Sequence, residues 1–264
     1  QLFKEMSIGT AKPSQEEMKN VVHHFVDSHS VKEEYNVAKY EKEVLETLEK
    51  VFTRKKKCIF TGGSGLYINA VCQGLDEMPK IDEKIKAQLQ LDLEEKGLDF
   101  LLEKLASIDP DYFETVDKAN SRRVLRALEV SLSSQKPYSS FRKKKYKERP
   151  FRIAKILLQR ERSELHERIN QRVDVMLENG LLEEVKSLFE FRKLKTLQTV
   201  GYREIFGFLE GNYDYEEAIR LLKRNTRRYA RRQETWFRKD EGFTIFHPDD
   251  YEGVLNYVKT LSIS

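Results

Sequence analysis

The sequence predicts an α/β protein: a parallel sheet flanked by helices, interrupted by an all-helical insertion. Three observations carry that reading. Cys58-Ile59-Phe60-Thr61 is a short apolar run without alternation, followed by Gly62-Gly63-Ser64-Gly65 and a helix from about Leu66. Strand, glycine turn and helix make the βα unit of a parallel sheet whose strands are buried on both faces. Residues 82 to 132 hold almost nothing strand-like and are rich in Lys and Glu at helical spacing. Phe151 to Leu158 and Phe243 to Phe246 then read as strands, the second at an edge.

The elements follow in order. Asn36 is placed to cap a helix running to about Phe52, with Val37, Tyr40, Val44, Leu48, Val51 and Phe52 at the helical period. The basic run Arg54 to Lys57 ends it favourably for the helix dipole. The composition changes past Pro79, which divides the chain into an α/β core, 1–78 with 144–264, and a helical insertion, 79–143. Asp109-Pro110 marks a turn within the insertion, and a basic loop follows from Arg142 through Lys144 and Lys145 to Pro150. Ser163 is the expected cap of a helix carrying Leu165, Ile169, Val173 and Leu177, which Asn179-Gly180 terminates.

Composition narrows the function classes. Of 264 residues, 39% are hydrophobic and 35% charged, and the mean hydropathy is −0.66. No stretch nears the ~18 consecutive apolar residues of a membrane span, and the first residues lack a signal peptide's pattern. Cys58 and Cys72, with no C-x-x-C spacing, read as buried small hydrophobes and make a disulfide framework and an oxidising compartment poor expectations, so the protein is expected in the cytoplasm. The chain opens in mid-pattern without Met, which leads us to expect a longer protein.

The densest signal is cationic. From Arg220 to Lys239 there are nine Lys or Arg residues and one acid, Glu234, a local +8 in a chain of formal net charge +4. Arg220, Arg224, Arg227, Arg228 and Arg231 recur at three- and four-residue steps. On another face, Ile219, Leu222, Thr226, Tyr229, Gln233 and Trp236 form a stripe able to pack. A stripe of guanidinium groups without nearby acids can bind successive phosphates of a nucleic acid, whereas a solvated helix face would carry compensating charges. Gly62-Gly63-Ser64-Gly65 would admit a phosphate or a base, but matches neither G-x-x-x-x-G-K-[ST] nor G-x-G-x-x-G, and a plain tight turn fits it equally. Arg203, just after Gly201 at a helix start, suits a diphosphate or a surface ion pair. Lys12 and Thr10 lie in a loop of open role. His23 and His24 are neighbours on an extended segment, point to opposite faces and chelate one ion poorly.

Six stretches together resemble the tRNA dimethylallyltransferase (tRNA isopentenyltransferase) family. They are QLFKEMSIGTAKPS at the start, HHFVDS at 23–28, GGSGLY at 62–67, NSRRVLRALEV at 120–130, TVGYREIFGFLEG at 199–211 and TRRYARRQETWFR at 226–238. They stand in the family's order and cover nearly the whole chain. The resemblance implies a P-loop-kinase-like fold and transfer of dimethylallyl from dimethylallyl diphosphate to N6 of the adenine immediately 3′ of certain tRNA anticodons, with Mg²⁺. Alternatives are a nucleotide kinase-like phosphotransferase and a non-catalytic RNA-binding module. No protein partner and no membrane are implied.

Residue by residue, the resemblance puts Gln1 beside the target adenine and Ser64 and Lys86 against tRNA. Arg122, Arg123, Val124, Leu125 and Arg126 would line the tRNA-facing side near the reacting base. Arg203 would bind the donor's diphosphate. Arg227, Arg228, Arg231, Arg232 and Gln233 would grip the anticodon stem-loop, in agreement with the charge argument. The family's P-loop does not occur in this sequence, and of its Asp-Ser-x-x segment, whose Asp the resemblance makes the general base, only the last residue is matched, by Gln1. The catalytic residue is therefore unknown, the base and Mg²⁺ ligands are expected upstream of Gln1, and these 264 residues alone are expected to be inactive.

Overall fold

Local chemistry starts and stops most of the helices. The computed structural model describes residues 1–143 and 146–261. A reciprocal capping box of Ser14 and Glu17 closes the single turn α1 (Gln15–Met18). Asn36 caps α2 (Val37–Phe52) as expected, its Oδ1 accepting from the N–H groups of Ala38 and Lys39 at 3.1 and 3.0 Å. Next comes α3 (Gly65–Gln73), starting one residue earlier than the apolar pattern suggests.

The strand-free stretch resolves into α4 (Glu83–Ile108), α5 (Pro110–Thr115) and α6 (Ser121–Ser134). Gly97, at φ +80°, kinks α4, a conformation that a side chain would strain. Asp109-Pro110 is the start of α5 rather than a separate turn. Pro110 fills its first turn, and Asp109 accepts from the Tyr112 N–H at 3.1 Å. Then follow β1 (Lys155–Leu158), α7 (Arg162–Glu178), α8 (Leu181–Ser187), α9 (Tyr202–Leu209), α10 (Tyr215–Phe237), β2 (Phe243–Phe246) and α11 (Tyr251–Thr260). Among the described residues, no helix is long and apolar enough to cross a membrane.

The chain divides into two units, residues 1–68 with 151–264, and residues 69–150. In the first, β1 and β2 pair in parallel, Lys155 opposite Phe243 through Leu158 opposite Phe246, with α7 to α10 as the crossover. The α/β class therefore holds, with a two-stranded sheet. Its core joins Val173 of α7, Leu181 and Val185 of α8, Tyr202, Ile205 and Phe206 of α9 and Leu222 of α10 to Met6 and Val31. In the second unit, Leu89, Leu101 and Leu105 of α4 pack against Tyr112, Val124, Ala127 and Leu128. Each fully buried Leu contributes roughly 1.5–3 kcal/mol.

Three expectations are corrected. Cys58 to Thr61 is not a buried strand: among the described residues no strand lies alongside to satisfy its backbone groups, so it stays irregular, with Ile59 91% exposed and Cys58 at the surface. The strand expected over 151–158 is confined to Lys155–Leu158, because its partner β2 is four residues long. Ser163 caps nothing. The helix begins at Arg162, where Arg160 reaches both Glu164 and Asp249 and pins the first turn ahead of it. Lys144 and Lys145 of the expected basic loop, and the core boundary placed at 144, lie outside the described residues.

Lys155 Nζ donates to Asp240 at 2.5 Å and holds that carboxyl below its ordinary 3.8, against the opposing effect of burial. A carboxylate depressed in the folded state stabilises fully above its unfolded value, and that stability is lost as pH falls through the folded one. Asp240→Asn should therefore melt below the parent at neutral pH, and the gap should close as pH falls below 3.8 and through the folded value.

Candidate functional site

Asp214 starts α10 by accepting from the Glu217 N–H at 2.8 Å, and Ala218, Leu222 and Phe237 bury its inner face. The stripe expected to pack does so up to Thr226. Beyond it the stripe is more open, with Tyr229 and Trp236 38% and 40% exposed, although Phe237 at the helix end is buried. The arginines divide in the same way. Arg220 is held by Glu217 through two hydrogen bonds of 2.6 Å, Lys223 by Asp174 at 2.5 Å, and Arg227 by the Asn170 carbonyl at 2.6 Å. The first turns of the stripe thus have counter-charges that sequence reasoning did not find. Arg228, Arg231 and Arg232 are exposed and, among the described residues, pair with no carboxylate; the Arg232 guanidinium lies 5.6 Å from the Tyr229 ring.

The glycine turn packs on this helix. Gln233 Nε2 donates to the Gly63 carbonyl at 2.8 Å, so this candidate RNA contact also anchors the turn. A Cβ on Gly65 would overlap the Trp236 indole, whereas one on Gly62 would meet nothing within 4 Å. The Ser64 side chain stays exposed, and its carbonyl accepts the first bonds of α3 at 2.9 and 3.0 Å. Gly65→Ala should therefore cost roughly 1–3 kcal/mol through overpacking, with Gly62→Ala near neutral. Thermal melting of the two variants checks this. Equal melting temperatures would remove the close approach.

Arg203 is the second residue of α9. Gly201, at φ +102°, opens that helix, and its N–H donates to Glu204 Oε2 at 2.8 Å. Glu204 is 2% exposed; its other oxygen accepts from Asn225 Nδ2 at 2.7 Å and from Arg203 Nη2 at 3.3 Å. A buried carboxylate thus steadies one edge of a guanidinium whose side chain is 59% exposed, leaving the other N–H groups for an anion.

Gln1 lies on a tightly pinned loop. Its Nε2 donates to the Ala11 and Thr10 carbonyls at 2.8 and 3.4 Å, and its own carbonyl accepts from the Asp27 N–H at 3.2 Å. Lys12 Nζ is buried beneath, donating to the Phe3 and Lys4 carbonyls at 2.9 and 3.1 Å and pairing with Asp27. The role left open for Lys12 is thus structural. On the other side, Glu184 of α8 accepts from the N–H groups of Ser7, Ile8 and Gly9 at 2.9, 2.8 and 3.0 Å, and from the Tyr202 hydroxyl at 2.6 Å. Burial, and next the Glu184 carboxylate, hold the Tyr202 phenol well above its ordinary 10.0, so it stays a donor.

In the helical unit, Asn120 caps α6 through the Arg123 N–H, and Arg122, Arg123 and Arg126 are exposed on it. Arg126 lies 3.6 Å from Glu129. Val124 is 0% exposed in the unit's core, and Leu125 packs partly against the same core. A helix turning ~100° per residue cannot present five consecutive side chains to one ligand, so Val124 is removed from the RNA-facing set. Lys86 on α4 pairs with Glu83 at 2.8 Å.

Among the described residues, Glu164, His247 and Asp249 bring three ligand atoms within 4.8 Å of one another. Arg160 already fills the space between the two carboxylates, at 2.7 Å from Asp249, and holds the Asp249 carboxyl below its usual range. This donor set is an ion-pair network and does not fit Mg²⁺. Glu184, Glu204 and Tyr202 are the site residues that sequence reasoning missed. Spacing held no signal for Glu184, whose bond to the Ser7 N–H spans 177 positions. Glu204 had a faint one, since a Glu three residues after a cap position closes a capping box.

The profile of the family described as IPP transferase matches residues 1–240. A tRNA dimethylallyltransferase 1 of Bacteroides thetaiotaomicron is 42% identical over 264 residues, covering 100% of this chain and 86% of its own length. A tRNA dimethylallyltransferase 2 of Porphyromonas gingivalis is 45% identical over 255 residues, 97% of this chain and 85% of its own. Among solved structures, a tRNA isopentenylpyrophosphate transferase from Bacillus halodurans superposes with a TM-score of 0.70 at 34% identity, over 100% of this chain and 84% of that one. A eukaryotic dimethylallyltransferase acting on tRNA gives 0.71 at 28% identity, over 90% of this chain and 61% of that one. With the family profile matched from the first residue to the end of α10 and beyond, this chain is a member of the IPP transferase family.

Proposed function

We propose that the protein transfers a dimethylallyl group from dimethylallyl diphosphate to N6 of the adenine immediately 3′ of the anticodon in tRNA. The observation that carries this reading is the exposed trio Arg228, Arg231 and Arg232, next to a packed glycine turn and in the same unit as the anion-ready Arg203. The trio suits the phosphates of a stem-loop. Arg203, backed by buried Glu204, suits the diphosphate.

In the reaction, N6 attacks the allylic CH₂ carbon, whose C–O bond breaks with its electron pair leaving on diphosphate, while the N6 proton passes to a base. The amine's lone pair is delocalised into the ring, so the barrier falls when negative charge on the leaving group is met by Arg203. The adenine must leave its stack to be reached. In this reading Gln1 lies beside that base. Arg227, Arg228, Arg231, Arg232, Gln233 and Ser64 hold the stem-loop, and Lys86, Arg122, Arg123, Leu125 and Arg126 of the helical insertion also touch it.

Mg²⁺ accompanies the diphosphate in this reading, with no ligand assigned in this chain. A tRNA modifier of this kind belongs in the cytoplasm.

The test is a pair of reactions with the full-length protein: dimethylallyl diphosphate with tRNA, and ATP with small nucleotides. Prenyl incorporation in the first without phosphoryl transfer in the second supports the reading. The reverse identifies a nucleotide kinase, and stem-loop binding with neither reaction identifies an RNA-binding module.

A further inference from the structure

Three consecutive backbone N–H groups, of Ser7, Ile8 and Gly9, converge on one anion, the arrangement that in many proteins takes a phosphate. Here the anion is the chain's own Glu184, at 2.8 to 3.0 Å. It is rigidly presented, because its neighbours Leu181 and Val185 on α8 are fully buried. The same carboxylate accepts from Tyr202 at 2.6 Å, and a Cβ on Gly9 would overlap the Tyr202 ring, so loop and helix start meet without a gap.

Two functional segments are joined at this point. The loop side leads to Gln1, whose amide is bonded to the Thr10 and Ala11 carbonyls. The helix side leads to Arg203, the residue after Tyr202. We infer that Glu184 is a positioning residue that sets the spacing between the acceptor base at Gln1 and the leaving diphosphate at Arg203. This rests on the function proposed above. In-line displacement depends steeply on such spacing, and a misplacement of about 1 Å can cost on the order of 10²-fold in rate.

Glu184→Gln tests the role. The amide keeps the shape but offers one acceptor and one donor to groups that all donate, which loosens the loop. In the full-length protein, kcat for prenyl transfer should fall by about 10²-fold. The Kd for an anticodon stem-loop should stay within about twofold, because the exposed arginines of α10 are untouched. Tyr202→Phe, which removes one bond and keeps the ring against Gly9, should give a smaller loss. It carries the test, with amide hydrogen exchange at Ser7, Ile8 and Gly9, if Glu184→Gln does not fold. A role confined to stability would lower the melting temperature and leave kcat per folded molecule unchanged, which overturns the inference. Parallel losses of kcat and stem-loop affinity overturn it too. No transfer by the unmodified protein would instead sink the functional reading, and this role with it.

Discussion

Replacing Arg228, Arg231 and Arg232 together by alanine is expected to weaken binding of an anticodon stem-loop by at least ~10²-fold at physiological salt. These three have no carboxylate partner among the described residues, so their whole charge is available to phosphates. Each guanidinium removed from a phosphate should flatten the slope of log K against log salt by about 0.7–0.9, roughly 2 to 3 in all. The weakening should be nearly the same for RNAs of different sequence, since phosphates carry none. Arg220→Ala is the internal control: Glu217 already occupies its guanidinium, so its removal should change affinity little. A titration from about 50 to 300 mM salt reads both quantities. An unchanged slope in the triple variant would move the RNA surface off α10.

Arg203→Ala is the second large effect. Removing a charge-assisted hydrogen bond to the diphosphate costs ~1.5–3 kcal/mol, or about 10- to 150-fold in kcat/KM for the prenyl donor. Stem-loop affinity should hardly move. Arg203→Lys restores the charge but not the fork and should recover activity in part. Glu204→Gln should give a milder form of the same defect, because it frees the edge of Arg203 that the buried carboxylate steadies while leaving the cation in place. If tRNA affinity fell and the donor's kinetics held, Arg203 would belong to the RNA surface.

What the sequence revealed was what short-range chemistry decides. Asn36 before an apolar helical pattern, Asn179-Gly180 after one, and the four residues of β2 are all local signals, and the structure places elements there. The arginine stripe was legible because a helix repeats every 3.6 residues. Which of its members are free was not: Arg227 is taken by Asn170 of α7, far off in sequence, and Arg220 by Glu217, three residues before the counted run begins. Cys58 to Thr61 failed for the converse reason: apolar composition predicts burial, but burial of a strand needs neighbours that no window of sequence contains. Val124 failed because a contiguous motif was read as a surface, although a helix turns one residue in that run inward. Glu184 was invisible for want of any local signature. Its role exists in the meeting of residues 7–9 with residue 202.

The most direct test is mass analysis of the anticodon loop after tRNA is incubated with the full-length protein and dimethylallyl diphosphate. The account predicts that the adenosine immediately 3′ of the anticodon gains the mass of one dimethylallyl group, at N6, with diphosphate released in equal amount. Release of diphosphate without a modified adenosine, or a prenyl group on another nucleotide, would contradict it.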